Sequence, residues 1–428
     1  MIEGMNIKNI IARQILDSRG YPTVEADVLL ENGSFGRASV PSGASTGEHE
    51  AHELRDGGSI FGGKSVQKAV DNIHEQILPA LRGLLADNQK EIDTVMIELD
   101  STDNKQRLGA NATLAVSLAV AHAASMSKKV ALYSHINELA GKPTMSLPMP
   151  MINIINGGKH AAGTSDIQEF MIIPRGAKTF HHAVEIGADV FHQLAEVLRD
   201  AGYATSVGDE GGYAPRLQDS NSEAFQYMQT AVERTKHTYV KDVVFSIDAA
   251  ASEFFVNGMY ELVADNAQVS SGELAAWYKH ICRQYPIVSI EDGLAEDDWG
   301  GWTDLRRTLP STQLVGDDLL VTNTERLKRA IDLDAANSIL IKPNQIGTLT
   351  ETLEAVRAAK DAGWSTIISH RSGETEDTTI THLAVGTGAG QIKTGSLSRT
   401  DRVAKYNELL RIELSDSSLK LYNPFADI

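Results

Sequence analysis

Between residues 243 and 396, six short apolar, β-branched runs each stop at polar or charged residues. They are VVFSID at Asp248, PIVSIED at Glu291 and Asp292, TQLVGDD at Asp317 and Asp318, SILIKPN at Lys342, TIISHRS at His370, Arg371 and Ser372, and QIKTGS at Lys393. Runs of this length between helical patterns read as parallel strands buried on both faces. Asp248, Glu291, Asp317, Lys342, His370 and Lys393 follow one another at spacings of 43, 26, 25, 28 and 23. After the first, each spacing is one strand plus one helix. The repeat predicts an α/β fold with a TIM-like (β/α) barrel, whose active site gathers at the C-terminal ends of the strands. The spacing of 43 is left open at this level.

A chain of 428 residues has room for a second domain beside a barrel. The prolines at 143, 148 and 150 cannot lie in one helix, and they mark the expected boundary. The expectation is a smaller N-terminal α+β capping domain over 1–140 and a C-terminal barrel over 141–428. In the first, residues 21–30 alternate as a half-buried strand, and Glu31-Asn32-Gly33 signals a hairpin. The loop Ser42-Gly43-Ala44-Ser45-Thr46-Gly47 carries no bulky side chain, so it suits a mobile lid over a ligand. Helices are expected at 65–86 and 109–127, the second rich in alanine, with His122 in a structural role. In the second domain, MINIIN (151–156) and QEFMIIP (168–174) read as strands and 178–201 as a long helix. ATSVGDEGGYAP reads as a strand ending at Asp209-Glu210. Further helices are expected at 220–236, 271–284, 323–332, 349–362 and 376–385. The glycines of 386–390 precede a strand instead of following one, which rejects a dinucleotide loop.

The net charge of −18 argues against DNA or other nucleic acid as a main ligand. The single cysteine, Cys282, permits no internal disulfide and fits a reducing compartment. The first residues lack the pattern of a signal peptide, and no run approaches the ~20 apolar residues of a membrane span. A cytoplasmic protein is expected.

Three carboxylates, Asp248, Glu291 and Asp317, come from successive strand ends. Left alone they would repel one another; a hard divalent cation resolves this, and all-oxygen ligation favours magnesium. The competing view, that each is a helix N-cap, serves for one acid but not for three beside two lysines. Lys342 and Lys393 are either bases with lowered pKa or fixed cations for a substrate anion. Arg371 with Ser372 suits phosphate or carboxylate. Glu169 and Glu210, as paired acids, can share a proton and keep one available for general acid work. Together these groups describe proton removal beside a carboxylate, with cations stabilising the enediolate and an acid assisting the leaving group.

The wording of the motifs then resembles the enolase family, the glycolytic 2-phosphoglycerate dehydratases, nearly end to end and most like its bacterial members. The resemblance rests on DSRG (17–20), PSGASTGEHEA (41–51), LGANATLAVSLA (108–119), QEFMI (168–172), VGDEGGYAP (207–215), SIEDGLAEDDW (289–299), GDDLLVTN (316–323), ILIKPNQIGT (339–348) and SHRSGETED (369–377). A lysine base working with magnesium is the known pattern of that superfamily. The resemblance implies reversible dehydration of 2-phospho-D-glycerate to phosphoenolpyruvate. It makes Lys342 the base at C2, and Glu210, supported by Glu169, the acid for the leaving hydroxyl. Asp248, Glu291 and Asp317 become ligands of a first magnesium and Ser45 of a second. Lys393, Arg371, Ser372, His370, His160 and Gln168 become substrate-binding residues. It further implies a barrel whose first strands break the βα alternation, and a homodimer or larger homo-oligomer. For some members it also implies RNA-processing or cell-surface partners, with surface or secreted locations reached without a signal peptide. Tyr21, Thr400-Asp401 and residues 161–166 depart from the usual family wording. The alternative reading is an enolase-fold scaffold or surface-binding protein; such a chain is expected to lose the metal acids or the base, and this one has them all.

Overall fold

The computed structural model describes residues 3–44, 46–161, 163–217 and 220–426. The N-terminal part is an antiparallel meander of β1 (Ile7–Leu16), β2 (Pro22–Leu30) and β3 (Phe35–Ser39), with the hairpin at Glu31–Gly33 between the last two. The helix Ala110–Lys128 lies on this sheet and is buried along almost its whole length. Its alanines let the backbones approach closely: a Cβ on Gly36 would stand 2.2 Å from the Ala119 carbonyl oxygen. His122 is structural, with Nε2 2.8 Å from Thr379 Oγ1.

The rest is built on a closed eight-stranded barrel. In chain order its strands are β4 (Met149–Asn156), β5 (Glu169–Ile173) and β6 (Val244–Asp248), then, after β7 (Phe255–Val256), β8 (Met259–Leu262) and β9 (Ala267–Val269) outside the barrel, β10 (Ile287–Glu291), β11 (Gln313–Gly316), β12 (Ser338–Ile341), β13 (Ser365–Ser369) and β14 (Gly390–Lys393). All six expected runs are strands, with the charged residue at or just past each end. β5 runs antiparallel to both neighbours, β4 and β6, so the first strands do break the alternation. The N-terminal half of the barrel is filled by Met149, Met151, Met171, Ile173, Val244, Val288, Val315, Leu340 and Ile367, with Phe425 beneath. The opposite end is therefore where polar groups collect.

Three expectations change. The spacing of 43 after Asp248 is taken up by a small antiparallel sheet, β7 (Phe255–Val256), β8 (Met259–Leu262) and β9 (Ala267–Val269), ahead of the helix Ser271–Gln284. Residues 204–215 are not a strand. Gly208, Gly211 and Gly212 turn the chain back so that Val207 bridges Tyr213, and the place beside β5 already belongs to β6. Helices at Gln89–Asp100, Leu132–Leu139, Trp299–Thr308 and Thr400–Ser415 add to those expected.

Candidate active site

Strand register builds the rim of the barrel. Glu169 opens β5, yet because β5 is antiparallel its first residue lies beside Asp248, the last of β6. Asp248 is in turn level with Glu291, the last of β10. Lys393 ends β14 level with Ser369 of β13. β5 and β12 are four strands apart in the ring of eight, so Glu169 and Lys342 face each other across the mouth.

Ten of the predicted residues line one small pocket: His160, Gln168, Glu169, Glu210, Asp248, Lys342, His370, Arg371, Ser372 and Lys393. Glu291 and Asp317 stand just behind it. Ser45 lies outside the described residues. A wider cleft is lined by Arg19, Tyr21, Glu50, Arg55 and Asn344 among others, and it holds none of the strand-end groups.

Two buried cations organise the acids. Lys393 Nζ lies 3.0 Å from Glu169 Oε1, 3.0 Å from Asp248 Oδ2 and 2.7 Å from Glu291 Oε1. Burial works against its charge, but Asp248, Glu169 and Glu291 hold Lys393 well above the usual lysine range. Lys342 Nζ donates to Asp317 Oδ2, whose Oδ1 accepts from Gln345 Nε2 at 2.8 Å. Burial, Arg371 and Lys393 favour neutral Lys342; Asp317 outweighs them and keeps it charged here. The expectation of a lowered lysine pKa thus does not describe this state.

Burial, then the charge of Asp248, pushes Glu291 well above the carboxylate range, and its Oε2 is buried without a hydrogen bond. Asp248 goes the other way: burial opposes its ionisation, but Lys393 and Lys342 prevail. Behind them, Asp292, Asp317 and Asp318 bring ligand atoms within 4.8 Å of one another. Asp292 takes the backbone N–H groups of Asp317 and Asp318 at 2.8 and 2.7 Å and so fixes the turn that aims Asp317. An all-oxygen donor set with an orphaned carboxylate oxygen on Glu291 is what a hard cation fits. Asp248, Glu291 and Asp317 are the residues that would hold it.

On the far wall, His160, Glu169 and Glu210 bring their polar atoms within 4.8 Å of one another. Glu210 sits in the turn after Gly208, where Asn153 Nδ2 donates to its Oε2 at 3.0 Å. Burial and the charge of Glu210 push Glu169 well above its ordinary value. For Glu210, burial is outweighed by His160, His370 and Arg402, which hold it well below. Within the pair, Glu169 is thus the group that more readily holds a proton and Glu210 the one that more readily ionises. Gln168 Nε2 lies 3.5 Å from Asp248 Oδ2.

The anion-binding corner is occupied from within the chain. Arg371 Nη1 donates to Glu50 Oε2 at 2.9 Å and Nη2 to Glu50 Oε1 at 3.1 Å. Asn344 Oδ1 accepts from the same guanidinium at 3.2 Å. Ser372 Oγ accepts the Ala44 N–H at 2.6 Å, and Ser42 pairs through its backbone with Gly373. Ser42, Ala44 and Glu50 thus rest on the mouth. Sequence reasoning singled out neither Glu50, Asn344, Gln345 nor Arg402; all four stand in or beside quoted motifs, but none ends a strand.

A lysine and an acid pair on opposite walls of one cavity can move two protons on one small molecule. A buried guanidinium and a hydroxyl can hold its anion. In comparison with known families, residues 7–136 match the family model described as the enolase N-terminal domain, and residues 144–424 match that described as the enolase C-terminal TIM barrel domain.

Proposed function

The chain belongs to the enolase family, and from that premise we propose that it is a phosphopyruvate hydratase, interconverting 2-phospho-D-glycerate and phosphoenolpyruvate in glycolysis and gluconeogenesis. The observation that carries the reading is the pairing of Lys342 with Glu169 and Glu210 across one pocket.

Lys342 takes the proton from C2. It must be neutral to do so, and burial, Arg371 and Lys393 are the influences that favour that form. Lys393 neutralises the substrate carboxylate among Glu169, Asp248 and Glu291. Arg371 and Ser372 take the phosphate, exchanging contacts they now make with Glu50 and Ala44. The proton shared by Glu169 and Glu210 leaves through Glu210 to the departing C3 hydroxyl, and His160, His370 and Gln168 line the space around it. Asp248, Glu291 and Asp317 would hold one magnesium, and Ser45 would help hold a second. When bound, magnesium supplies positive charge beside the substrate carboxylate as the C2 proton is lost. The same premise makes a homodimer or larger homo-oligomer the proposed assembly, and the cytoplasm the proposed location.

The test is the absorbance of phosphoenolpyruvate formed from 2-phosphoglycerate. The reading expects formation with magnesium, loss on chelation and recovery when magnesium is returned. Full activity in metal-free buffer, or none with magnesium, would overturn it.

A further inference from the structure

The helix Thr400–Ser415 sends two buried cations toward the site, and nothing in the reading above uses them. Arg402 is fully buried. Its Nη1 donates to Nδ1 of His370 at 2.5 Å and to the Arg371 carbonyl at 2.5 Å. Its Nη2 donates to the Ser372 carbonyl and, at 3.2 Å, to that of Asp209. Asp401 Oδ2 lies 2.7 Å from its Nε as countercharge. Lys405 Nζ binds Glu374 Oε2 at 2.8 Å, and Glu374 Oε1 accepts the Arg371 N–H at 3.2 Å. Room for Arg402 is made by Gly395, where a Cβ would stand 2.7 Å from Arg402 Cδ.

A guanidinium has donors only, so the ring nitrogen that faces it must present a lone pair. In a neutral imidazole the other nitrogen then carries the proton. That other nitrogen, His370 Nε2, is buried without a hydrogen bond and lies 3.3 Å from Glu210 Oε1. We propose that Arg402 is a positioning residue: by donating to His370 Nδ1 it fixes the neutral Nε2–H tautomer, so that His370 offers Glu210 and the cavity a donor and never an acceptor. His370 can then orient ionised Glu210 but cannot take the proton that Glu210 has to deliver. This rests on the proposed role of Glu210 for its meaning, but not for its test.

Burial draws the His370 pKa down to about 3; Glu210 opposes this, and Arg402 and Lys393, the other charged groups facing the ring, reinforce it. The experiment is nitrogen-15 NMR of histidine-labelled protein, with the His370 signals assigned by their loss in H370Q. In the wild type, Nδ1 is expected to appear as an unprotonated and Nε2 as a protonated nitrogen, unchanged from about pH 5 to about pH 8. In R402M the two tautomers should mix, and kcat should fall on the order of 10- to 100-fold with little change in KM. A wild-type Nδ1–H tautomer or imidazolium overturns the proposal, as does a folded R402M with an unchanged His370 spectrum. If R402M does not fold, the wild-type spectrum decides alone. Nε2–H in a protein that forms no phosphoenolpyruvate would refute the function and leave this inference standing; Nδ1–H in an active enzyme would do the reverse.

Discussion

Glu50 and Arg371 form a two-pronged ion pair in which the carboxylate stands where a substrate phosphate would be held, and Glu50 Oε1 also accepts the Gly47 N–H at 3.1 Å. An anion must displace it. Glu50→Gln keeps the shape but removes the charge, so it should bind inorganic phosphate about tenfold more tightly, a change of ~1.4 kcal/mol. Calorimetric titration with phosphate checks this, and weaker binding would mean that Glu50 holds Arg371 ready instead of competing for it. At this scale the strand-end residues were legible because a charge closing an apolar run needs a reason. Glu50 and Arg402 were not, since one sits in a loop and the other on a helix, where charges are ordinary. Glu169 was legible as a site residue but not in its position: only the antiparallel course of β5 brings the first residue of that strand to the rim. Asp401, one of the departures from the family wording, is the countercharge of Arg402.

Among elements, the six apolar runs gave strands because burial on both faces leaves an unbroken pattern. The stretch 204–215 misled, because its apolar start stops at glycines that fold it into a turn. The helix Thr400–Ser415 was not expected, since two of its buried positions carry Arg402 and Lys405 and so interrupt its apolar stripe. The same kind of polar burial joins the helix Gln89–Asp100 to the barrel: Asp93 Oδ2 accepts the Thr350 N–H at 2.9 Å and its hydroxyl at 2.6 Å, and Gln89 donates to Oδ1 at 3.1 Å. Burial outweighs these bonds and lifts Asp93 to about 6. A carboxyl group with a raised folded pKa binds its proton more readily folded than unfolded. Its contribution is therefore present below about pH 4 and lost as pH rises through about 6, roughly 3 kcal/mol in all. Asp93→Asn cannot titrate, so the difference in urea stability between wild type and variant should change by that order between pH 4 and pH 7. A difference that stays constant with pH would refute the assignment.

For the molecule as a whole, the site needs both parts of the chain: Ala44 and Glu50 follow the N-terminal sheet, and their partners Arg371, Ser372 and Gln345 follow barrel strands. Among the described residues no helix is long and apolar enough to cross a membrane. The proposed homodimer is checked by light scattering, where a strict monomer at working concentration would contradict it. The central claim is that the two proton transfers belong to different walls of one cavity, and hydrogen exchange at C2 of 2-phosphoglycerate, followed by NMR in heavy water, tests it most directly. Lys342→Ala should lose both C2 exchange and product. Glu210→Gln should keep exchange while product formation falls on the order of 10²–10⁴-fold, the usual worth of general acid help. If Glu210→Gln stops C2 exchange as completely as Lys342→Ala, the division of labour across the barrel mouth is wrong.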